Sequence, residues 1–310
     1  MALKTGRAEG SATVTIDRAL CDACGCCVRV CSADVLRMEN GAVIADTTRL
    51  FGCVGCSHCM LVCPTDAIAV HGRDTSLADV RELPPPEMRA DFDSLLALLL
   101  SRRSVRRFRS SEVGEEVIQK IVDAVSTAPM GLPPSDVEIL VLRGRPRVQE
   151  FAGDIVDAIR RSQWFVSPLM TTLMRRFIGK EAAEMFRTFL RPLAHALPEK
   201  RARGEDWLLY DAPLAMYFHT SPYSDPADPV IAATYAMLAA ESLGLGSCMI
   251  GTVAPILKYY KKVAEKYGIP PKNQQGILVI FGYSATSFKR AVKRRLGKVH
   301  VWAEDRNSRA

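Results

Sequence analysis

The sequence predicts an α+β protein, and three observations lead to this prediction. In residues 1–75, short apolar runs, cysteine runs and short helical stretches occur twice, which is typical of a small duplicated domain. A proline-rich stretch in residues 76–90 predicts a connector, because its prolines cannot continue a helix or a central strand. In residues 91–310, long helical patterns are separated by few apolar runs, which predicts a mixed sheet covered by helices.

The small N-terminal domain is predicted to contain four short strands. Residues 12–16 alternate β-branched side chains, and residues 67–70 form another apolar run after the second cysteine run. Between them, residues 35–38 and 42–44 flank Asn40-Gly41, which is a strong signal for a hairpin turn. The same order of elements occurs twice, so we expect an internal duplication.

Nine of the ten cysteines lie within the 43 residues from Cys21 to Cys63, in two runs of the same spacing. In each run, three cysteines at steps of three let one short loop wrap three corners of a cubane cluster. The fourth follows four residues later, at the start of a helix, and points toward the other cluster. The runs are Cys21, Cys24, Cys27 and Cys31, then Cys53, Cys56, Cys59 and Cys63.

These runs resemble those of two-[4Fe–4S] bacterial-type ferredoxins over residues 10–72. Zinc is the main alternative, because C-x-x-C pairs also form tetrahedral thiolate sites, but two complete runs favour clusters. Ser32 replaces the proline that usually follows such a run, so we expect altered surroundings for the second cluster. The resemblance assigns Cys21, Cys24, Cys27 and Cys63 to one cluster and Cys53, Cys56, Cys59 and Cys31 to the second.

The composition predicts a globular protein outside the membrane. Hydrophobic residues make up 48% of the chain and charged residues 24%. The longest apolar run, residues 95–100, is far shorter than the ~18 residues that span a bilayer. Residues 1–12 do not resemble a signal peptide, and reduced thiolates suit a reducing compartment, so we expect a cytoplasmic location.

The second domain is predicted to contain long helices and four separated strands. Predicted helices cover residues 91–103, 115–126, 148–161, a long segment to about residue 197, 229–243 and 255–267. Predicted strands cover residues 137–142, 214–219, 248–250 and 276–281.

Three stretches of this domain point to chemistry, although each is weak alone. Residues 101–108 combine arginine guanidinium groups with serine hydroxyls, which suits the binding of a phosphate. The alternative is a basic helix end that is exposed to solvent. Gly244 and Gly246 let a helix end and turn into a strand; Met249 stands where a dinucleotide fingerprint needs its third glycine. The basic run in residues 289–295 either folds back on a phosphate or is solvated.

Together and in this order, the three stretches resemble the nitroreductase family of flavoproteins over residues 92–298. The resemblance implies an α+β homodimer with FMN at the subunit interface. It also implies contacts of FMN with three groups of residues: Arg102, Arg103, Ser104 and Arg106 at the phosphate and ribityl chain; Met249, Ile250 and Gly251 along the isoalloxazine; and Arg290, Lys293 and Arg295 as late basic contacts.

The sequence departs from the family pattern in residues 128–136. Pro133 falls where the family usually has an asparagine, so the usual side-chain contact to the flavin edge is missing. We expect backbone groups of Met130, Gly131 and Leu132 to replace it.

The formal charge of +7 does not predict a nucleic-acid partner. Eight cluster thiolates, two oxidised cluster cores and one phosphate would bring the charge to about +1. Residues 1–75 contain 7 Lys and Arg against 8 Asp and Glu, so the surplus lies in the rest of the chain.

The leading hypothesis is an FMN oxidoreductase that receives single electrons through both clusters and reduces a small organic acceptor. The acceptor would be a nitroaromatic, a quinone or an activated alkene, and the external donor a low-potential redox protein such as ferredoxin. One alternative is an electron-transfer module that serves a protein partner and has no small-molecule substrate. A further alternative is a binding or scaffolding domain whose flavin fold has lost FMN. The intact arginine stretch in residues 102–106 is evidence against this alternative. Four residues around a strand end are candidates for proton delivery: Tyr217, His219, Tyr223 and Ser224. The alternative is that they are structural residues of the strand end.

Overall fold

The computed structural model describes residues 3–46, 48–273 and 275–302. In the N-terminal region, two antiparallel strand pairs enclose two short helices. The first strand pairs with the fourth and the second with the third, so that Val14 lies opposite Val70. The elements are β1 (Thr13–Ile16), α1 (Cys26–Val30), β2 (Leu36–Glu39), β3 (Ala42–Ala45), α2 (His58–Val62) and β4 (Ile68–His71).

The core of this region is small and lies directly behind the cysteines. Leu36, Val43, Ile68 and Val70 are buried, and Cys27 and Cys59 pack into the same cluster. Alternation along the strands turns these apolar side chains toward the cysteine loops. The predicted duplication and its four strands are confirmed.

The residues predicted as a connector run over the surface. Residues 77–90 are exposed and contain two short 3-10 turns, Leu77–Asp79 and Pro86–Met88. Pro85 and Pro86 favour this open path because proline removes a backbone donor. The exact domain limits stay a prediction.

The C-terminal region forms a four-stranded sheet covered by helices, which confirms the predicted α+β fold class. Its strand order is β5-β6-β8-β7, and neighbouring strands are antiparallel. A parallel bridge between Ser104 and Ser247 at the outer side of β7 makes the sheet mixed. The strands are β5 (Val137–Arg143), β6 (Leu214–Thr220), β7 (Gly246–Ile250) and β8 (Gln275–Gly282).

Two apolar cores lie on the two faces of this sheet. The helices are α3 (Phe92–Ser101), α4 (Glu115–Val125), α5 (Arg145–Arg161), α6 (Pro168–Met185), α7 (Arg191–Ala202), α8 (Asp228–Ser242), α9 (Val253–Tyr259) and α10 (Lys261–Lys266). Tyr217 packs with α5, α7, α9 and α10, whereas its neighbours Met216 and Phe218 pack with α4 and α8. This division follows from the period of two along β6.

Two helices present large apolar side chains at the surface of the single chain. In α3, Asp91 caps the N-terminus by accepting a hydrogen bond from the Ser94 N–H, and none of the helix's residues is buried. In α6, Phe177 is 87% exposed and Leu169 82% exposed. Such surfaces are typical of interfaces with another chain.

The long helix predicted up to residue 197 is interrupted. Gly179, at a φ of 84°, breaks the helical geometry inside α6, and a π-helical turn at Phe186–Leu190 separates α6 from α7. Gly179 adopts this positive φ at no steric cost because it has no Cβ. In the described residues, no helix is long and apolar enough to cross a membrane.

Candidate functional site

Four predicted cluster ligands and Cys26 line the first cavity of the N-terminal region. Cys21, Cys24 and Cys27 come from the first loop and α1, and Cys63 follows α2. The cavity holds about 320 Å³ of space, some of it continuous with solvent, and its apolar walls include Ile16 and Val43. The first run and the last cysteine of the second run therefore meet at one place.

The second cavity is the counterpart of the first. Cys53, Cys56 and Cys59 come from the second loop and α2, and Cys31 follows α1. This cavity holds about 370 Å³, and the side chains of Val14, Leu36 and Val70 line it. The structure thus sorts the eight cysteines into the two sets expected for a duplicated cluster domain; their role as ligands stays a prediction.

Each cysteine loop bends twice through the left-handed region. Ala23 and Gly25 flank Cys24 with φ values of 57° and 70°, and Gly55 and Ser57 flank Cys56 with φ values of 73° and 64°. These equivalent bends turn successive cysteines toward one cavity instead of to alternate sides of the chain.

In the absence of metal, burial disfavours the thiolate form of Cys27 and Cys59. Burial raises the pKa of the Cys59 thiol to about 12, and the neighbouring thiols of Cys53 and Cys56 add to the shift. Burial also raises the pKa of Cys27. Iron binding would have to displace these protons, and bound iron would supply the positive charge that stabilises clustered thiolates.

The half-buried Cys63 differs from Cys27 and Cys59. Burial acts to raise its pKa, but hydrogen bonds from Thr65 and from the Ala67 N–H outweigh that effect and lower it. Donors to a cysteine sulfur are also among the features that set a cluster's potential.

The sulfur-rich donor set fits an iron–sulfur cluster. Thiolates are the usual ligands of [4Fe–4S] clusters, which need four; five cysteines, Cys26 included, line the first cavity and four line the second. In residues 3–46, 48–273 and 275–302, no three side chains of His, Cys, Asp or Glu are gathered as a mononuclear metal site requires. The fit to a cluster therefore rests on the sulfur donors that the two cavities gather.

The arginine stretch is held against the edge of the large sheet. The Val105 N–H donates to the Ser247 carbonyl at 2.9 Å, and Ser104 forms the parallel bridge to Ser247. Gly246 permits this approach, because a Cβ there would lie 2.5 Å from Cγ2 of Val105. Residues 102–106 and strand β7 therefore form one continuous surface, as the order of motifs implies.

Arg103 presents an unused donor at this surface. Its Nη1 donates to the Arg102 carbonyl at 2.6 Å, while its Nη2 is buried and has no hydrogen-bond partner among the described residues. The Ser247 Oγ is also buried without a partner there. Buried donors normally have partners, so this pair fits a bound anion such as a phosphate.

The other members of the predicted phosphate group are placed differently. Arg102 is half-buried and Ser104 is exposed. Arg106 is also exposed, and its guanidinium lies 5.6 Å from the centre of the Tyr210 ring. Its part in binding a phosphate stays a prediction.

The residues expected along a flavin ring lie close to the second core. Met130 and Met249 both pack against the cluster formed by α4, α8 and the strands. Ile250 is buried at the end of β7, and Gly251 is exposed just beyond it. Leu132 is 46% exposed, so this end of the sheet offers apolar surface to a planar ligand.

Asp228 positions the Met130–Leu132 loop and was not singled out from the sequence. Its carboxylate, only 4% exposed, accepts a hydrogen bond from the Gly131 N–H at 3.3 Å. Burial raises the pKa of Asp228. The only sequence signal was an acidic residue beside Pro229 at a helix start.

The late basic residues are not brought to this surface in the single chain. Arg290, Lys293 and Arg295 lie in an exposed segment after β8 that has no regular secondary structure. No hydrogen bond or ion pair between described residues joins them to residues 102–106. Their contact with FMN stays a prediction.

The candidates for proton delivery are mainly structural. Tyr217 and His219 are buried in the central strand and stack at 5.5 Å, and burial raises the pKa of Tyr217 to about 12. The amide of Asn273 lies 3.0 Å from Nδ1 of His219. Tyr223 is exposed at the surface, where the Lys4 ammonium lies 5.8 Å from its ring.

Comparisons with known proteins cover both halves of the chain. The nitroreductase family matches residues 99–283, and a 4Fe-4S dicluster domain matches residues 20–68. No curated protein matched the chain.

Among solved structures, a nitroreductase with bound FMN from Bacteroides fragilis NCTC 9343 has a similar fold. It is 19% identical, the match covers 67% of this chain and 98% of that one, and the TM-score is 0.50. A nitroreductase with bound FMN from Desulfitobacterium hafniense DCB-2 is 18% identical over 67% of this chain and 97% of that one, with a TM-score of 0.49.

The family match spans more than half of the 310 residues and contains both the arginine stretch and strand β7. The dicluster match spans both cysteine cavities. This chain therefore belongs to the nitroreductase family, with a 4Fe-4S dicluster domain in front of its nitroreductase domain.

Proposed function

We propose that this protein is an FMN-dependent oxidoreductase with its own iron–sulfur electron supply. The observation that carries the proposal is the pair of cysteine-lined cavities in the same chain as a nitroreductase fold. Cys21, Cys24, Cys27 and Cys63 hold one [4Fe–4S] cluster, and Cys53, Cys56, Cys59 and Cys31 hold the second.

FMN is anchored by its phosphate at residues 102–106 in this proposal. The unpartnered donor of Arg103 supports this placement, and so does the FMN bound in the two solved nitroreductases. Met249, Ile250 and Gly251 line one side of the ring, and backbone groups of Met130, Gly131 and Leu132 face its edge. Bound FMN supplies the exchange between single electrons and electron pairs that a two-electron reduction requires.

The residues of the chain contribute placement and charge. Arg102 and Arg103 neutralise the phosphate, and Asp228 fixes the loop at Gly131. The exposed apolar surface near Leu132 receives a small organic acceptor such as a nitroaromatic, a quinone or an activated alkene. An external low-potential donor, such as a ferredoxin, reduces the N-terminal region.

A homodimer completes the site in this proposal. The apolar face of α3 and the exposed Phe177 and Leu169 of α6 need a covering surface, which a second copy provides. The exposed segment that carries Arg290, Lys293 and Arg295 then reaches FMN at the interface, as in the family.

The test begins with anaerobic purification and analysis of iron, sulfide and FMN. We expect about eight irons, eight sulfides and one FMN per chain. A reduced ferredoxin should then bleach the flavin absorbance, and one of the proposed acceptors should restore it. Flavin that stays oxidised while the clusters are reduced would contradict the relay.

A matched pair of cysteine variants separates the relay from direct reduction of FMN. Cys59→Ser removes one proposed ligand and should lose about four irons and slow the bleaching by ferredoxin. Cys248→Ser, at a cysteine outside both sets, should keep about eight irons. Bleaching without turnover of any small acceptor would favour the electron-transfer module instead.

A further inference from the structure

A buried arginine lies between the two parts of the chain. Arg73 is 6% exposed and lies two residues after the end of β4. Its guanidinium donates to four backbone carbonyls: Val54 at 3.2 Å, Pro133 at 2.7 and 3.1 Å, Leu3 at 2.6 Å and Gly10 at 2.7 Å. A buried charge is costly unless its donors are satisfied, and this fork satisfies them with carbonyls from three separate segments.

The carbonyls that Arg73 joins belong to the two candidate sites. Val54 lies between Cys53 and Cys56 in the loop of the second cavity. Pro133 directly follows the Met130–Leu132 loop, which is expected at the flavin edge. The Thr75 Oγ1 adds a hydrogen bond to the Gly55 carbonyl at 3.2 Å, which further fixes the cysteine loop.

Residues 3–10 also contact both the Arg73 guanidinium and the second part of the chain. The Gly6 N–H donates to the Asp136 carboxylate at 2.5 Å, and the Ser221 hydroxyl donates to the same oxygen at 2.6 Å. Arg7 donates to the Ser135 carbonyl at 3.0 Å. Asp136 is buried, so the contact between the two parts of the chain is a packed, hydrogen-bonded interface and not a loose encounter.

The departure of residues 128–136 from the family pattern has a physical reason in this interface. Where the family usually has an asparagine, Pro133 has no amide donor of its own, and its carbonyl accepts two hydrogen bonds from Arg73. The loop is therefore shaped by the cysteine-rich region that packs on it.

We propose that Arg73 is a positioning residue that docks the loop of Cys53 and Cys56 on the Met130–Pro133 loop. The second cavity thereby becomes the flavin-side site and the first cavity the donor-side site. This inference rests on the proposed function. Because the Arg73 guanidinium donates to the carbonyl of Val54, the residue after Cys53, its positive charge lies close to this loop and favours the more negative, reduced state of a cluster in the second cavity.

The test compares Arg73→Gln and Arg73→Lys with Arg29→Gln in the full-length protein. Arg29 is the matched control, because its guanidinium contacts the Cys24 carbonyl at 3.3 Å and Cys26 Sγ at 3.0 Å in the first loop. In hydrogen–deuterium exchange, both Arg73 variants should raise uptake in residues 53–59 and 130–136. Arg29→Gln should leave both stretches at the wild-type level.

Redox titration followed by EPR gives the second readout. In Arg73→Gln, the ratio of reduced first cluster to reduced second cluster should rise about tenfold. This corresponds to a change of ~59 mV in the difference between the two one-electron potentials. Arg73→Lys keeps the charge and should restore most of this shift, whereas Arg29→Gln should shift it the opposite way. Wild-type exchange and potentials in Arg73→Gln would overturn the proposal, as would equal loosening of the interface by Arg29→Gln.

If Arg73→Gln does not fold, hydrogen–deuterium exchange of Arg73→Lys in residues 53–59 and 130–136 tests the positioning role instead. A relay that fails in the wild-type protein would refute the proposed function and leave these two readouts unaffected. The position of Arg73 and the function of the whole protein are thus tested separately.

Discussion

Arg103 is the residue whose unused donor most directly marks a ligand position. Its Nη2 and the Ser247 Oγ are buried side-chain atoms without hydrogen-bond partners among the described residues. Leaving a charged donor unpaired is unfavourable, so a phosphate at this place would gain a full charge-assisted hydrogen bond.

Arg103→Gln is therefore expected to weaken FMN binding by about 1.5–3 kcal/mol, the usual contribution of a hydrogen bond to a charged group. Fluorescence titration of the deflavinated protein measures this loss. Riboflavin, which lacks the phosphate, should bind the variant and the wild type almost equally. Arg107→Gln is the control, since Arg107 is exposed and lies four residues further along the chain. Equal losses for FMN and riboflavin would show that Arg103 does not contact the phosphate.

At the scale of the element, β6 carries a buried imidazole through the centre of the sheet. His219 lies opposite Glu138 on β5 and Gly276 on β8, and the Asn273 amide donates to Glu138 at 3.1 Å. Burial lowers the pKa of His219, with the Glu138 carboxylate opposing the shift. The folded protein therefore favours the neutral form of this imidazole more than the unfolded chain does.

The sign of the resulting pH dependence follows from linkage. Below the ordinary histidine pKa of ~6.5, the unfolded chain binds a proton that the folded chain binds less readily. The contribution of His219 to the free energy of unfolding is thus present above this pH and is lost as the pH falls toward its lowered folded pKa. Urea unfolding between pH 5 and 7.5 should show a steeper decline for the wild type than for His219→Gln. Parallel profiles would contradict the assignment.

The elements themselves could be predicted largely from local patterns. The apolar run at residues 276–281 became β8 (Gln275–Gly282), and the Asp91 cap opens α3 as its side-chain chemistry indicates. The break in α6 was missed, because apolar periodicity continues past Gly179 and outweighed the single glycine in the pattern.

The candidate site was predictable only where its residues form local motifs. The cysteine runs have a fixed spacing imposed by the cluster, so their grouping can be read from the sequence. Arg73 and Asp228 contact partners that lie 60 and 97 residues away in the chain. Such contacts depend on how the two regions pack together, and no local pattern encodes that packing.

At the scale of the whole molecule, the exposed apolar face of α3 supports the proposed homodimer. Leu95 and Leu99 remain 44% and 46% exposed, although the helix lies against α8. Burying a leucine fully contributes about 1.5–3 kcal/mol, so a helix with this face gains stability when a second copy covers it.

The double variant Leu95→Glu and Leu99→Glu should therefore convert a dimer into a monomer. Because the two leucines are already about half buried, the pair loses about 1.5–3 kcal/mol of interface burial per chain, and two carboxylates would have to be desolvated there. Size-exclusion chromatography with light scattering measures the mass, and flavin absorbance of the same fractions reports retained FMN. If the site lies at the interface, FMN is lost together with the dimer. Leu83→Glu, at an exposed leucine of the connector, should leave both unchanged, and a double variant that stays dimeric would exclude α3 from the interface.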